Sequence, residues 1–288
     1  MSDLNYFKTV ANRLEDDSLL EGLSYLTEKV AGTTIDSYEN EELISIQEVE
    51  DDDTKLLSTG YTSLDKKIGG LGNGHVILIG GATSQGKSAL ATNIAINVAK
   101  NHGVLFITLE MQASELKKRI KLANNNTVDD LNIILQKKFR ISYKDINGII
   151  KNAKEQGEVE LVVLDYLQYL GRGMSLQEVS IMSKEIKTLA LTYNIPLMVI
   201  VSLRKSESGK NKRLWTDIEI EDFMGTGAIG YDCDTAFIAS RQNLNNEYDP
   251  EHMFVKILKT RNHNLDYNDR FIELNWNQTK ITESWKSI

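Results

Sequence analysis

The chain has 288 residues, of which 41% are hydrophobic and 26% charged, and a formal net charge of −8. That balance excludes a mostly disordered chain, and a single cysteine, Cys233, excludes an internal disulfide framework and fits a reducing, cytoplasmic setting. The first residues carry charges where a signal peptide needs an apolar stretch, and the longest apolar runs, such as residues 195–203, are about half the ~20 residues that span a bilayer, so no membrane is expected.

The charge is unevenly placed. Residues 1–53 hold 3 basic and 15 acidic residues, which leaves 30 basic and 26 acidic in residues 54–288. The acidity sits in the N-terminal arm and the body is mildly basic. In chain order, residues 4–30 show helical spacing with a break near Asp16, which predicts one or two amphipathic helices in an arm over 1–35. An acidic linker over 36–55 follows, read either as a solvated spacer or as a segment that docks on a partner or a neighbouring copy. The body, 56–288, alternates strand and helix. Strands are predicted at 76–80, 104–109, 161–165 and 197–201, and helices at 87–100, 114–124, 128–137, 145–155 and 176–193. Three further candidate strands, 235–239, 253–258 and 270–276, are separated by polar turns and read as hairpins. Apolar strands alternating with helices imply an α/β fold, a mostly parallel sheet with helices on both faces.

Residues 81–88, Gly81-Ala82-Thr83-Ser84-Gln85-Gly86-Lys87-Ser88, have the spacing of a phosphate-binding loop between a strand and a helix. Backbone N–H groups of such a turn form an anion nest, and the helix N-terminus adds its own unpaired donors, through Ala89. Lys87 is expected to neutralise the β- and γ-phosphates of ATP, and Ser88 to ligate Mg²⁺. The strand at 161–165 ends in Asp165, which beside a phosphate loop reaches Mg²⁺. The strand at 104–109 is followed by Glu110, placed to activate a water for attack on the γ-phosphate or, equally, to serve as a plain strand-end acid.

Several segments together resemble the C-terminal ATPase domain of the DnaB-type replicative DNA helicases, a RecA-like P-loop NTPase fold. Ser58-Thr59-Gly60 with Gly69-Gly70-Leu71 resembles that family's lead-in, and Thr108-Leu109-Glu110-Met111 its catalytic-glutamate segment. The run from Leu161 to Gln168 resembles its Walker B strand. Thr226-Gly227-Ala228-Ile229, with Asp232 and Asp234, resembles its DNA-facing loop, and Lys259-Thr260-Arg261-Asn262 its Lys-x-Arg-Asn strand end. The resemblance covers residues 56–276. It implies a ring of six with ATP at each subunit boundary, where Arg261 acts as an arginine finger on the neighbour's γ-phosphate and Lys259 reaches the same site. It also implies 5′→3′ movement on single-stranded DNA, with a helicase loader or primase as possible partners. Three features depart from the family pattern. Only about 55 residues precede the core, Ser202 stands where the family carries a sensor glutamine, and Met224 and Gly225 stand where it carries an Arg-Glu pair, after a short insertion at 218–222.

Arg204, Lys205, Lys210, Lys212 and Arg213 crowd one polar loop, and Gly225, Thr226 and Gly227 offer backbone N–H groups. These are the candidate DNA contacts, set against a reading of the loop as solvated surface. Trp215 is read as a base-stacking group or a core anchor. The four histidines have no metal-ligand spacing. The leading expectation is an ATP-driven ring helicase. The alternatives are a non-motor RecA-like ATPase that assembles on DNA or recruits a replication partner, and a recombinase-like filament.

Overall fold

The structure, a computed structural model, describes residues 46, 56–136, 141–165, 175–203, 214–223, 227–263 and 265–284. The chain divides into two units, 1–54 and 55–288. The expected arm and, but for Ile46, the acidic linker lie outside the described residues.

The second unit runs α1 (Thr62–Ile68), β1 (Val76–Gly80), α2 (Lys87–Ala99), β2 (Val104–Thr108), α3 (Ala113–Ala123), β3 (Ile133–Leu135), α4 (Ile146–Gln156), β4 (Leu161–Asp165), α5 (Leu176–Tyr193), β5 (Leu197–Ile200), α6 (Gly227–Asp232), β6 (Thr235–Ser240), β7 (His252–Thr260), β8 (Phe271–Asn277) and β9 (Lys280–Glu283). Among the described residues nine strands form one sheet in the order β3-β2-β4-β5-β1-β6-β7-β8-β9. Pairing is parallel from β3 to β6 and antiparallel from β6 to β9.

The parallel strands are apolar at nearly every position because both sheet faces are covered. Ile77, Ile79, Val104 and Phe106 point to one face, where Leu64, Leu90, Ile94, Leu116 and Ile120 of α1, α2 and α3 meet them. Val76, Leu78, Leu105 and Ile107 point to the other, against Ile146 and Ile150 of α4 and Met182 and Ile186 of α5. Such alternation is what a strand's twofold period demands of a sheet buried on both sides. At its start α5 is fixed by a capping box of Ser175 with Glu178, and at its end by Asn194 in the left-handed region at φ 50°.

Residues 128–136 are not helical as expected, and residue 137 lies outside the described residues. Ile133–Leu135 instead pairs with the free edge of β2, Val104 opposite Ile133 and Phe106 opposite Leu135. A short apolar run with two adjacent isoleucines suits either state, and the open backbone edge of β2 decides it. The first C-terminal strand also does more than form a hairpin: β6 lies parallel beside β1 while pairing antiparallel with β7. The expected helices at 87–100 and 176–193 and strands at 76–80 and 161–165 stand within a residue of their predicted bounds. Among the described residues, no helix is long and apolar enough to cross a membrane.

The register brings the carboxyl ends of the parallel strands together. Gly80 lies opposite Ile238, Ile79 opposite Ile200 and Thr108 opposite Asp165. The loops that leave those strands therefore share one edge of the sheet, the usual place for a ligand in an open α/β sheet.

Candidate active site

The phosphate loop leaves β1 at Gly81 and enters α2 at Lys87. Its conformation needs its glycines. Gly81 has φ 152°, and a Cβ there would come 2.5 Å from the Ala239 carbonyl oxygen, while Gly86, at φ 92°, would press a Cβ 2.5 Å from Met253 Cε. Ser84 holds φ 64° without being glycine. Gly86 is the N-cap of α2 and makes no side-chain cap, so the first N–H groups of the helix remain open to an anion. Lys87 Nζ crosses the loop and donates to Ala82 O at 2.9 Å.

A brace from the far end of the chain holds this loop. The Gln85 side-chain oxygen accepts from the backbone N–H of Arg241 at 2.7 Å. The Arg241 guanidinium donates to the carbonyls of Asp249, Pro250 and His252, and sits 4.2 Å over the Trp276 ring and 5.3 Å from Tyr248.

The cleft beside the loop measures about 630 Å³. Thr83, Ser84, Gly86, Lys87, Ser88 and Ala89 line one wall. Glu110, Met111, Glu115 and Arg119 line another, Ser202 the floor beside Ile200, and Trp276, Gln278 and Thr279 the rim. The sequence-predicted Lys87, Ser88 and Glu110 are thus brought together, with Ser202, the residue standing where the family carries a sensor glutamine, beside them. Gly81, Ala82 and Gln85 build the loop behind them.

Asp165 stands at the end of β4, fully buried, and neither carboxylate oxygen has a hydrogen-bond partner among the described residues. Burial, then the Glu110 charge, pushes its carboxyl up to about 7, against the opposing pull of Ser88, Lys87 and Arg119. Lys87 is shifted down by its own burial, and Glu110 and Asp165 resist that shift. The three groups are thus electrostatically coupled. A hydroxyl at Ser88 and an unpartnered buried carboxylate at Asp165 are a hard oxygen donor set that fits Mg²⁺ beside phosphate. Among the described residues no cluster of three or more His, Cys, Asp or Glu offers a separate metal site.

Sequence reading missed Arg119, Arg241 and Trp276. Arg119 bonds Glu115 at 2.7 Å one helical turn away, and α3 carries both along the cleft because it starts just after Glu110. The i, i+4 spacing was a signal for that pair. Nothing local marks Arg241 and Trp276, which reach the loop only through β6 and β8.

Lys259 and Arg261 are not among the residues that line the cleft. Lys259 Nζ donates to the carbonyls of Gly230, Tyr231 and Cys233 at the end of α6, and Arg261 Nη1 lies 3.0 Å from Asp234 Oδ1. The basic residues 204–213 and the loop residues Gly225 and Thr226 lie outside the described residues, and Gly227 is the first residue of α6. Trp215 is a core anchor. It is buried, donates from Nε1 to Asn243 O at 2.8 Å and meets Phe271 edge-on at 5.8 Å. The insertion at 218–222 forms a short 3₁₀ turn held by the fully buried Lys256, which donates to Thr216 O, Ile218 O and Glu219.

The family description "DnaB-like helicase C terminal domain" matches residues 57–129 and 120–281. The replicative DNA helicase DnaB of Geobacillus stearothermophilus is 26% identical over 262 residues, 80% of this chain and 56% of that protein. The replicative DNA helicase DnaC of Bacillus subtilis is 26% identical over 227 residues, 68% of this chain and 48% of that protein. The chain thus spans about half the length of the curated relatives it matches. Among solved structures, an isolated ATPase domain superposes with a TM-score of 0.66 at 20% identity, covering 93% of this chain and 99% of that one. A DnaB-like replicative helicase studied with primase gives 0.67 at 20% identity, covering 97% and 76%. The RadB recombinase gives 0.56 at 18% identity, covering 80% and 100%. These likenesses show the RecA-like fold, and with the match over most of residues 57–281 the chain belongs to the DnaB-like helicase C-terminal domain family.

Proposed function

We propose that this chain is an ATP-hydrolysing ring helicase subunit that moves 5′→3′ on single-stranded DNA during replication. The observation that carries the catalytic half is Asp165, a fully buried carboxylate without a hydrogen-bond partner among the described residues, which does not itself line the cleft but is electrostatically coupled to Lys87 and Glu110, which do. A fold that leaves such a group unpaired bears a cost that a bound cation removes. Mg²⁺, held by Ser88 and Asp165, would neutralise charge on the triphosphate.

The chain's own groups supply the rest. The loop N–H groups and the start of α2 bind phosphate oxygens, and Lys87 swings from Ala82 O to the β- and γ-phosphates. Glu110, exposed at the mouth of the cleft, accepts the proton of the attacking water. Arg119 adds positive charge from the same subunit. Arg261 lies away from its own cleft and completes the site of the next subunit, where charge supplied in trans is worth about 10³–10⁵ in rate in other P-loop enzymes. Residues 204–213 and 225–227 contact the DNA backbone.

Ser202 on the cleft floor favours a second reading, a non-motor ATPase, because serine is shorter than the family's glutamine at the point where nucleotide state is passed toward the DNA loops. Strand displacement separates the two. A forked duplex with a 5′ single-stranded tail should be unwound with Mg-ATP, and one with only a 3′ tail should not. Hydrolysis without displacement of either would favour the second reading.

A further inference from the structure

Asp234 follows α6 and immediately precedes β6. It is fully buried, and its two oxygens have separate tasks. Oδ2 accepts from the Val76 backbone N–H at 2.8 Å and from Lys187 Nζ at 2.7 Å, while Oδ1 accepts no hydrogen bond among the described residues and is left to an ion pair with Arg261 Nη1 at 3.0 Å. Lys187 is itself tied to Gly74 O at 2.8 Å, and the Asp234 backbone N–H donates to Val76 O at 2.9 Å. The carboxylate is therefore fixed to β1 and α5 before Arg261 is counted, and Lys187 alone balances its charge. Arg261 brings a second cation to one acid. Its side chain remains 57% exposed, against 0% for Asp234. Only an arginine fork can rest one edge on a buried acid and offer the other edge outward. Two residues earlier, near the end of β7, Lys259 ties that strand end to carbonyls at and just past the end of α6.

We propose that Asp234 is the positioning residue for Arg261, holding the inner edge of the guanidinium so that its outer edge is presented, already oriented, to the nucleotide of the neighbouring subunit. This rests on the reading of Arg261 as the group that completes the neighbour's site. An exposed arginine on a strand end otherwise samples many rotamers, and fixing it before the reaction spares that ordering in the transition state.

The test uses the full chain with saturating oligothymidylate and measures kcat and KM for Mg-ATP in Asp234→Asn, Arg261→Ala and the two combined. Asp234→Asn should lower kcat about tenfold to a hundredfold with KM within about twofold, as expected for a misaimed group. Adding it to Arg261→Ala should change kcat by less than about twofold, since it acts only through that residue. A full further loss in the combined variant, or an unchanged kcat in Asp234→Asn, would overturn the proposal. An Arg261→Ala protein with wild-type turnover would instead overturn the reading of the finger, and with it this role. Should Asp234→Asn fail to fold, Asp234→Asn/Lys187→Gln removes both buried charges and keeps hydrogen-bonding groups, and the same kinetic pattern decides.

Discussion

Two aspartates, Asp165 and Asp234, are equally buried and differently treated. Asp165, at the carboxyl end of β4, has no partner for either oxygen among the described residues. Asp234, immediately before β6, meets two cations and a backbone N–H. At the carboxyl ends of the strands both oxygens of one acid are left unpaired, whereas at the opposite edge Oδ2 of the other is fully engaged and Oδ1, which accepts no hydrogen bond among the described residues, keeps only an ion pair with the exposed Arg261.

Replacing Asp165 should give the largest effect. Asp165→Asn should lower Mg-ATP turnover by about 10²–10³, the cost of losing one preorganised electrostatic group. The same variant should lose a pH-dependent part of stability. The carboxyl titrates near 7 in the fold against an ordinary 3.8, so the folded chain binds this proton more tightly than the unfolded chain. Stability is then highest below about pH 4 and falls as pH rises to about 7, by at most on the order of 4 kcal/mol. Thermal unfolding without divalent cation should show Asp165→Asn more stable than wild type at pH 8, with the gap closing toward pH 4. Parallel profiles would break the contrast between the two acids.

At Asp234 the sign reverses. Asp234→Ala should cost about 3 kcal/mol in urea unfolding, because Lys187 is left mostly buried without its counter-charge. A loss under about 1 kcal/mol would mean that the triad is no anchor. A smaller effect is expected at Arg241→Ala, about 1–2 kcal/mol from the lost stacking on Trp276 and three carbonyl bonds, with a few-fold weaker ADP affinity measured by titration calorimetry.

Local chemistry made part of this legible in the sequence. The loop from Gly81 to Ser88 and the apolar run ending in Asp165 are contiguous, and their glycines and carboxylate mean the same thing wherever the fold puts them. The resemblance marked Glu110 and Ser202, and both line the cleft. What depends on distant backbone stayed hidden. Residues 133–135 became a strand because the β2 edge was open, and Arg241 and Trp276 reach the loop only through the sheet. The link between Asp234 and Arg261 was equally invisible, since the two are far apart in the chain and meet only when β6 pairs with β7.

The most direct measurement is Mg-ATP turnover of the wild-type chain with and without single-stranded DNA, beside Lys87→Ala and Asp165→Asn. A motor built on this cleft should show turnover that rises with DNA and falls by at least about 10²-fold in both variants. Turnover indifferent to DNA, or retained in Asp165→Asn, would contradict it.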